Sequence, residues 1–125
     1  MKNDSSKFTL QEMMAVPAAR EITDGEKVII GTGLPLLGAF LAQKTHAPNM
    51  VAIYESGAID CKPLVTPFSV ADSVLVPGSA MQGGLMEGLG VVHAGELDLG
   101  FLGGAQIDKY GNLNTHVIGD YRNPK

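Results

Sequence analysis

The architecture of this chain follows from residues 27–56, which read KVIIGTGLPLLGAFLAQKTHAPNMVAIYES. The β-branched start, Lys27–Ile30, predicts a short buried strand that ends at a glycine turn. Pro35 suits the first turn of a helix, which we expect to continue to about Thr45. The segment MVAIYES predicts a second buried strand. A strand, a helix and a strand in this order form a βαβ unit, which is nearly always right-handed with parallel strands.

Two turns follow the ends of these two strands. Residues 31–33 follow the first strand, and residues 55–57 follow the second. Because the carboxyl ends of neighbouring parallel strands meet at one edge of a sheet, we expect the two turns to lie close together. Ligands of open α/β sheets bind at that edge. The sequence therefore predicts a site that combines Glu55 with the glycine turn.

The N-terminal part predicts a further helix, and the middle of the chain predicts a strand and a helix. Residues 9–20 have helical spacing, and Thr9 and Glu12 are placed as a capping box. Their apolar side chains, which include Leu10, Met13 and Met14, are expected to share the core-facing side. A third strand is expected at residues 73–76, followed by a helix from about residue 79.

The last part of the chain predicts a strand and a hairpin. The strand is expected at residues 97–102, and residues 109–112 supply the turn of a hairpin that returns over residues 113–118. The whole pattern indicates an α/β fold, an open and mostly parallel sheet with flanking helices. We expect a flexible arm at residues 1–8 and a single domain at residues 9–125.

Composition argues against several classes of protein. The 125 residues carry a net charge of −4 and no basic run, which argues against nucleic acid and anionic membranes as partners. No apolar stretch reaches about 18 residues, so we expect no membrane span. The N-terminus MKNDSSKF lacks the apolar segment of a secretion signal. A single cysteine, Cys61, cannot form an internal disulfide, and this favours a reducing cytoplasm.

The glycine turn after the first strand has two interpretations. Gly31, Thr32 and Gly33 form half of a dinucleotide-binding fingerprint, but the position of the third glycine holds Leu36. The turn can simply be tight and allow the helix to pack closely. It can also form an oxyanion or phosphate site from backbone N–H groups at the start of the helix.

Glu55 also has two interpretations. A glutamate at a strand end can be solvated or paired with a lysine, or it can be a nucleophile at a binding site. Gly57 favours the second interpretation, because a missing side chain would let a ligand approach the carboxylate. Partial burial beside Tyr54 would raise the pKa of Glu55 and remove its water, which would make it a better nucleophile.

The other reactive side chains predict no site of their own. His46, His93 and His116 lack the spacing of metal ligands, so we expect no metal site, and the first two are expected at helix ends. Ser56 lacks the Gly-x-Ser-x-Gly elbow of serine hydrolases. Cys61 is expected to be a small packed residue.

Four stretches occur in order along the chain: VIIGTGLPLLGAFLAQKTHAPNM, IYESGAI, LDLGFLGGAQID and YGNLNTHVIGDY. Together they resemble the β subunit of family I CoA-transferases, most closely the glutaconate CoA-transferase type. The resemblance implies that Glu55 is the nucleophile of a Glu-x-Gly-x-x-Gly motif. Such a glutamate moves CoA from an acyl-CoA to a small carboxylic acid through a glutamyl-CoA thioester. A CoA thioester is then a substrate, and no permanently bound cofactor is implied.

The resemblance also assigns neighbouring residues to the site. The oxyanion and substrate pocket is expected to include Gly31, Thr32, Gly33, Ser56 and Gly57. A further wall of the pocket is expected from Gly103, Gly104 and Gln106.

The chain departs from the family pattern at two points. Asp60 replaces the last glycine of the motif, and the family β subunits are about twice as long. Asp60 would disfavour ionisation of Glu55 if it pointed inward, and it matters little if it points to solvent. Three functions therefore stay open. The chain can be the N-terminal half of a CoA-transferase β subunit that works with an α-type subunit. It can be a catalytically incomplete homologue that binds small molecules or assembles as a homo-oligomer, or a CoA-ester hydrolase.

Overall fold

The structure, a computed structural model, describes residues 7–124, so most of the predicted arm lies outside the described residues. Its helices are α1 (Leu10–Arg20), α2 (Leu34–Thr45) and α3 (Leu85–His93), with a short 3-10 helix at Ser73–Leu75. The main sheet contains β1 (Lys27–Ile30), β2 (Val51–Tyr54), β3 (Ala58–Ile59), β4 (Met81–Gln82) and β5 (Leu99–Gly100). Two small hairpins follow, β6 (Gln106–Ile107) with β7 (Leu113–Asn114), and β8 (Gly119–Asp120) with β9 (Asn123–Pro124).

The predicted βαβ unit is confirmed. The strand order of the main sheet is β4-β3-β2-β1-β5, and β1 pairs in parallel with both β2 and β5. Ile29 lies opposite Ile53 on one side and Gly100 on the other. The pairs β2–β3 and β3–β4 are antiparallel. The fold is therefore α/β, an open mixed sheet in which β2, β1 and β5 run in the same direction.

The core lies between the two central strands and α2. Val28 and Ile30 of β1 are fully buried, and Leu36, Ala39 and Ala42 of α2 are buried as well. Burying a side chain the size of valine or isoleucine contributes roughly 1.5–3 kcal/mol relative to leaving it exposed. This cluster therefore fixes the position of α2 relative to β1, and with it the start of the helix at the sheet edge.

Helix α1 buries a different face from the one that its spacing predicts. Its capping box is confirmed, because the Thr9 side chain accepts from the Glu12 N–H and the Glu12 carboxylate accepts from the Thr9 N–H. The prediction for its core-facing side is wrong, since Leu10, Met13 and Met14 are exposed. Ala15 and Ala19 are buried instead. A Cβ at Gly38 of α2 would already lie 3.2 Å from the Ala18 Cβ. The two helices pack so closely that only small residues fit between them.

The middle of the chain corrects two further predictions. Residues 73–76 do not form a third strand but a 3-10 helix at Ser73–Leu75, because the Asp72 side chain accepts from the Val74 N–H and caps it. Helix α3 begins at Leu85 rather than near residue 79, and the short strand β4 precedes it. The Gly84 N–H donates to the Glu87 carboxylate at 2.7 Å, and this contact fixes the start of α3.

The last part of the chain agrees with the sequence in kind but not in length. The strand expected at residues 97–102 is present as β5, which extends only over Leu99–Gly100. The predicted hairpin is confirmed as β6 and β7, and the Asp108 carboxylate accepts from the N–H groups of Tyr110 and Asn112 in its turn. Its strands are short because few other parts of the described chain cover them.

The second half of the chain exposes large apolar side chains. The most exposed are Leu64, Phe68, Met86, Leu102, Tyr110 and Tyr121. Exposed apolar patches of this kind mark surfaces that bind other polypeptides or ligands. None of the helices in residues 7–124 combines the length and the apolar character that a membrane span requires.

Candidate active site

A cavity of about 550 Å³ lies where the three parallel strands end. Gly31 and Thr32 follow β1, Glu55 follows β2, and the residues after β5 complete this edge of the cavity. Because β1 lies between β2 and β5, all three carboxyl ends converge there, as expected for an open α/β sheet. The full lining is Met14, Ala18, Gly31, Thr32, Leu34, Pro35, Glu55, Phe101, Leu102 and Gly103.

Glu55 is the acidic side chain of this cavity. It directly follows Tyr54, the last residue of β2, in a tight turn closed by the Gly57 N–H, which donates to the Tyr54 carbonyl at 2.9 Å. The carboxylate is exposed, so the partial burial considered for it is not provided by the described chain. The ion pairs Lys27–Glu96 and Lys62–Asp60 use other carboxylates. Glu55 is therefore placed to meet a ligand that enters the cavity.

The glycine turn and Glu55 border the same cavity. Gly31 and Thr32 line the cavity, and Gly33 is the N-cap of α2 with a φ of 100°. A φ in this range strongly favours glycine. Leu34 and Pro35, the first residues of α2, also line the cavity. The first N–H groups of a helix have no acceptor within it and lie at the positive end of its dipole. This end of the cavity is suited to a developing negative charge.

Gly57 serves a purpose different from the one that the sequence suggests. A Cβ at this position would lie 2.3 Å from the Gly84 carbonyl oxygen, and the backbone φ is 92°. The Gly83 N–H also donates to the Gly57 carbonyl at 2.8 Å. The space beside Gly57 is therefore filled by the backbone that precedes α3, and the structure indicates a packing reason for the missing side chain.

Helix α3 packs against the same turn through a second glycine. A Cβ at Gly88 would lie 2.7 Å from the Tyr54 carbonyl oxygen and 3.0 Å from that of Glu55. Reasoning from the sequence missed this role, because a glycine inside a helix is expected only to lower its stability. The signal was present, since Gly84 and Gly88 are four residues apart and such spacing places small residues on one helix face.

Ser56 lies outside the lining of the cavity. Its hydroxyl donates to the Val70 carbonyl at 2.5 Å, and the Val70 N–H donates to the Thr32 hydroxyl at 3.4 Å. The predicted pocket residue Ser56 is thus bound to a loop residue. Thr32 does line the cavity, as predicted.

The predicted wall is present only in part. Gly103 lines the cavity. Gly104 packs against Leu113, whose Cδ2 would lie 2.8 Å from a Cβ at that position. The side-chain carbonyl oxygen of Gln106 accepts from the Asn114 side-chain amide at 2.8 Å, and Gln106 borders a different cavity in the β6–β7 hairpin. Gly104 and Gln106 therefore stabilise the hairpin instead of lining the cavity that contains Glu55.

Six apolar residues of the wall were not predicted from the sequence, and two of them, Leu34 and Pro35, are the first residues of α2. Phe101 and Leu102 immediately precede Gly103, so the end of the predicted strand was the signal for them. Met14 and Ala18 come from α1, whose apolar side chains are predicted from the sequence to face the core. Such side chains give this side of the cavity an apolar surface.

Asp60, at the position of the last motif glycine, has a left-handed backbone with a φ of 53°. This conformation explains why a glycine suits the position, and aspartate is among the few other residues that adopt it readily. Its Oδ1 lies 2.9 Å from Lys62 Nζ, which also donates to the carbonyls of Pro48 and Met50. Asp60 is absent from the residues that line the cavity, so its carboxylate does not compete with Glu55 there.

The remaining reactive groups are held in inactive roles. Cys61 is fully buried, and its burial, with a smaller contribution from Asp60, raises its pKa to about 11. Burial also raises the pKa of Tyr54 well above its usual range. His46 caps the end of α2 and its ring lies 3.1 Å from the Ile22 carbonyl. Within residues 7–124 no group of His, Cys, Asp and Glu side chains is arranged to hold a metal ion.

Known proteins share this sequence and this fold. The sequence model of coenzyme A transferases matches residues 11–125. The chain belongs to the coenzyme A transferase family. It is 43% identical to one subunit of the 3-oxoadipate CoA-transferase of Pseudomonas knackmussii over 96% of its own length, and 41% identical to one subunit of the glutaconate CoA-transferase of Acidaminococcus fermentans over 98%.

Solved structures of the coenzyme A transferase fold agree. The crystal structure of glutaconate coenzyme A-transferase from Acidaminococcus fermentans superimposes with a TM-score of 0.81 at 40% identity. The matched region covers 98% of this chain and 49% of the chain in that crystal structure. The decarboxylase AibA/AibB superimposes with a TM-score of 0.78 at 26% identity, over 95% of this chain and 50% of that one.

The match is complete on one side only. This coenzyme A transferase chain covers 46% of the matched 3-oxoadipate CoA-transferase polypeptide and 48% of the matched glutaconate CoA-transferase polypeptide. The chain therefore spans about half the length of the curated relatives it matches.

Proposed function

We propose that this chain is the catalytic half of a CoA-transferase β subunit and that Glu55 is its nucleophile. The observation that carries the proposal is the position of Glu55. Its carboxylate stands at the end of β2, on a cavity built from segments that match the coenzyme A transferase family. The reaction proposed is cytoplasmic transfer of CoA from an acyl-CoA to a small carboxylic acid.

The proposed chemistry has two half-reactions. In the first, a Glu55 carboxylate oxygen attacks the thioester carbonyl and forms a tetrahedral oxyanion. The oxyanion collapses and expels the CoA thiolate, and Glu55 and the acyl group are then joined as a mixed anhydride. The thiolate then attacks the Glu55 carbonyl of this anhydride and expels the original acyl group as a carboxylate, which leaves a glutamyl-CoA thioester. In the second half-reaction, an incoming carboxylate repeats these steps in reverse, and Glu55 regains its negative charge.

Two features of the cavity support these steps. Glu55 and the Gly31–Thr32 turn lie on the same cavity, and α2 begins there, so N–H groups are available for the oxyanion that forms on either carbonyl. The apolar wall that includes Met14, Leu34 and Phe101 can shield the acyl group from water. Exclusion of water matters because a mixed anhydride and a thioester both hydrolyse.

We propose that the cavity is completed by other polypeptide. Glu55 is exposed in the described chain, and apolar side chains such as Phe68 and Leu102 stand on its surface. The two curated relatives are each one subunit of a larger enzyme and are about twice as long as this chain. An α-type subunit, together with polypeptide equivalent to the other half of those relatives, would cover this surface and desolvate Glu55. A homo-oligomer would cover it in their absence.

Family membership favours CoA transfer over a binding or assembly module. Hydrolysis would use the same glutamyl-CoA intermediate, but water instead of a second carboxylate would attack it, which would release free CoA and Glu55. The decarboxylase with this fold indicates that the architecture serves more than one reaction. Transfer is measured directly by adding a second carboxylic acid and following the new acyl-CoA.

The test is to trap the intermediate. The purified chain is incubated with acetyl-CoA, glutaconyl-CoA or 3-oxoadipyl-CoA, and its intact mass is measured before and after hydroxylamine. We expect a CoA-sized mass increase that hydroxylamine removes, located by peptide mapping to the peptide that contains Glu55. Borohydride reduction of the thioester marks the same residue permanently.

The matched control is a second exposed glutamate. Glu96 pairs with Lys27 near the amino ends of the strands, at the opposite edge of the sheet from the cavity. Glu55→Gln is expected to abolish the CoA adduct, whereas Glu96→Gln is expected to leave it intact. An adduct that survives in Glu55→Gln contradicts the proposal, as does the absence of any adduct in the unaltered chain both alone and with the polypeptide that completes the cavity.

A further inference from the structure

We propose that Ser56 is a positioning residue that holds Glu55 in register with the glycine turn through the backbone of Val70. This inference rests on the proposed function, because it needs Glu55 to be the nucleophile. The contacts that carry it join two turns that follow different strands, and one of these contacts ends at Thr32, which lines the cavity.

Val70 is the point at which the two turns meet. The Ser56 hydroxyl donates to its carbonyl at 2.5 Å, and its N–H donates to the Thr32 hydroxyl at 3.4 Å. Ser56 is the residue next to Glu55, and Thr32 is the middle residue of the glycine turn. Val70 therefore links the end of β2 to the end of β1, although it lies 38 positions after Thr32 in the sequence.

The loop that carries Val70 is itself held. The Asp72 carboxylate accepts from the Phe68 N–H at 2.8 Å and from the Val74 N–H at 3.1 Å. The Ala71 N–H donates to the Ser69 hydroxyl at 3.2 Å. Hydrogen bonds on both sides of Val70 keep its backbone in place, so it can act as a fixed point.

The other side of the Glu55 turn is held by α3. The Gly83 N–H donates to the Gly57 carbonyl, and Gly88 allows α3 to approach the carbonyls of Tyr54 and Glu55. These contacts fix the turn against α3, and the pairing of Ile30 with Tyr54 sets the distance between the two strand ends. The Ser56–Val70–Thr32 link holds the two turns relative to each other beyond these last paired residues. Since covalent catalysis depends on how well the nucleophile and the oxyanion donors are aligned, loss of the link should slow the chemical step.

The role of Ser56 is positional because its hydroxyl is already occupied. It donates to Val70, and Ser56 is absent from the lining of the cavity. Removing it also leaves the Val70 carbonyl without its donor, which frees the loop to shift. The expected signature is a slower chemical step with little change in substrate binding.

The test compares Ser56→Ala, Ser56→Thr and Ser79→Ala. Ser79 is the matched control, because its hydroxyl donates to the Val76 carbonyl at 2.8 Å and it does not line the cavity. The rate of glutamyl-CoA formation from acetyl-CoA or glutaconyl-CoA is measured in a single turnover, with the Kd of CoA measured separately. We expect Ser56→Ala to lower the rate about 10- to 100-fold, Ser56→Thr to restore it to within about 3-fold, and the Kd to change less than about 3-fold.

A double-mutant cycle tests the path through Val70. Thr32→Val removes the hydroxyl that accepts from Val70, and it should cost less than Ser56→Ala because its hydrogen bond is longer. The double variant should lower the rate of glutamyl-CoA formation by less than the product of the two separate fold-changes, since both substitutions act on one link.

The outcomes separate this inference from the proposed function. If the unaltered chain forms the adduct and Ser56→Ala forms it equally fast, or if the Kd rises by the same factor as the rate falls, Ser56 has no positioning role. Independent effects in the cycle overturn the path through Val70. If the unaltered chain forms no adduct, alone or with the polypeptide that completes the cavity, the proposed function fails and the positioning role fails with it.

Discussion

Replacing Gly57 by alanine tests the assignment of this glycine to packing. The first cost is conformational, because a φ of 92° is left-handed and costs an L-residue roughly 1–2 kcal/mol. The second cost is steric, since the new Cβ would lie 2.3 Å from the Gly84 carbonyl oxygen and backbone must move. Overpacking of this kind costs roughly 1–3 kcal/mol. Losing the hydrogen bond from Gly83 to Gly57 costs about 1 kcal/mol more.

The total is roughly 3–6 kcal/mol, against a typical domain stability of about 5–15 kcal/mol. Gly57→Ala should therefore be strongly destabilised, with part of the population unfolded at room temperature. Gly25→Ala is the matched control, because Gly25 has a φ of 89° and no neighbouring atom within 4 Å of its Cβ position. It should lose only the conformational part, roughly 1–2 kcal/mol.

The measurement is urea unfolding of the three proteins, followed by circular dichroism and analysed for the free energy of unfolding. Equal destabilisation of the two variants, to within about 0.5 kcal/mol, would refute the packing argument. If Gly57 instead made room for a ligand, Gly57→Ala would be as stable as Gly25→Ala and would lose affinity for a CoA thioester.

Two further predictions concern Asp60 and Cys61, which directly follow β3. Asp60→Gly should change the free energy of unfolding by less than about 1 kcal/mol, because relief of the left-handed φ offsets the loss of the ion pair with Lys62. Urea unfolding measures this change. A larger loss of stability would mean that the ion pair between Asp60 and Lys62 anchors this segment. The pKa of Cys61 rises from 9.0 to about 11 on folding, so the unfolded chain loses its proton first and stability should fall as the pH rises through that range. Cys61→Ala should flatten this decline in a pH series of urea unfolding curves; an unchanged slope would assign it to Tyr54 or other groups.

The parts of the fold that local patterns specify were predicted well. The strand, glycine turn, helix and strand of residues 27–56 follow from β-branched runs and from Pro35, and these signals act within a few residues. Parallel pairing of β1 and β2 follows from the handedness of the crossover. Because the carboxyl ends of parallel strands share an edge, the meeting of Glu55 with Gly31 and Thr32 could be derived as well.

The parts that depend on approach between distant segments could not be predicted. The spacing of α1 favours Leu10 and Met13 as core residues, but the close approach of Gly38 leaves room only for alanines. Residues 73–75 form a 3-10 helix instead of the expected strand at 73–76, because the Asp72 side chain caps its start. In both cases a contact to another residue outweighs a weak local preference.

By itself, the sequence determined the βαβ unit, the edge of the sheet at which the cavity lies, and the acid that stands there. Only the tertiary structure decided what the glycines and polar residues around that acid do. In the sequence, Gly57 and Ser56 are both close neighbours of Glu55, yet the space beside Gly57 is filled by the backbone before α3, and the Ser56 hydroxyl is bound to Val70. The physical reason is that the succession of strand, turn and helix over residues 27–56 depends on residues that are close in the sequence. The space beside a residue, by contrast, is set by segments that lie 14 or more positions away in the sequence.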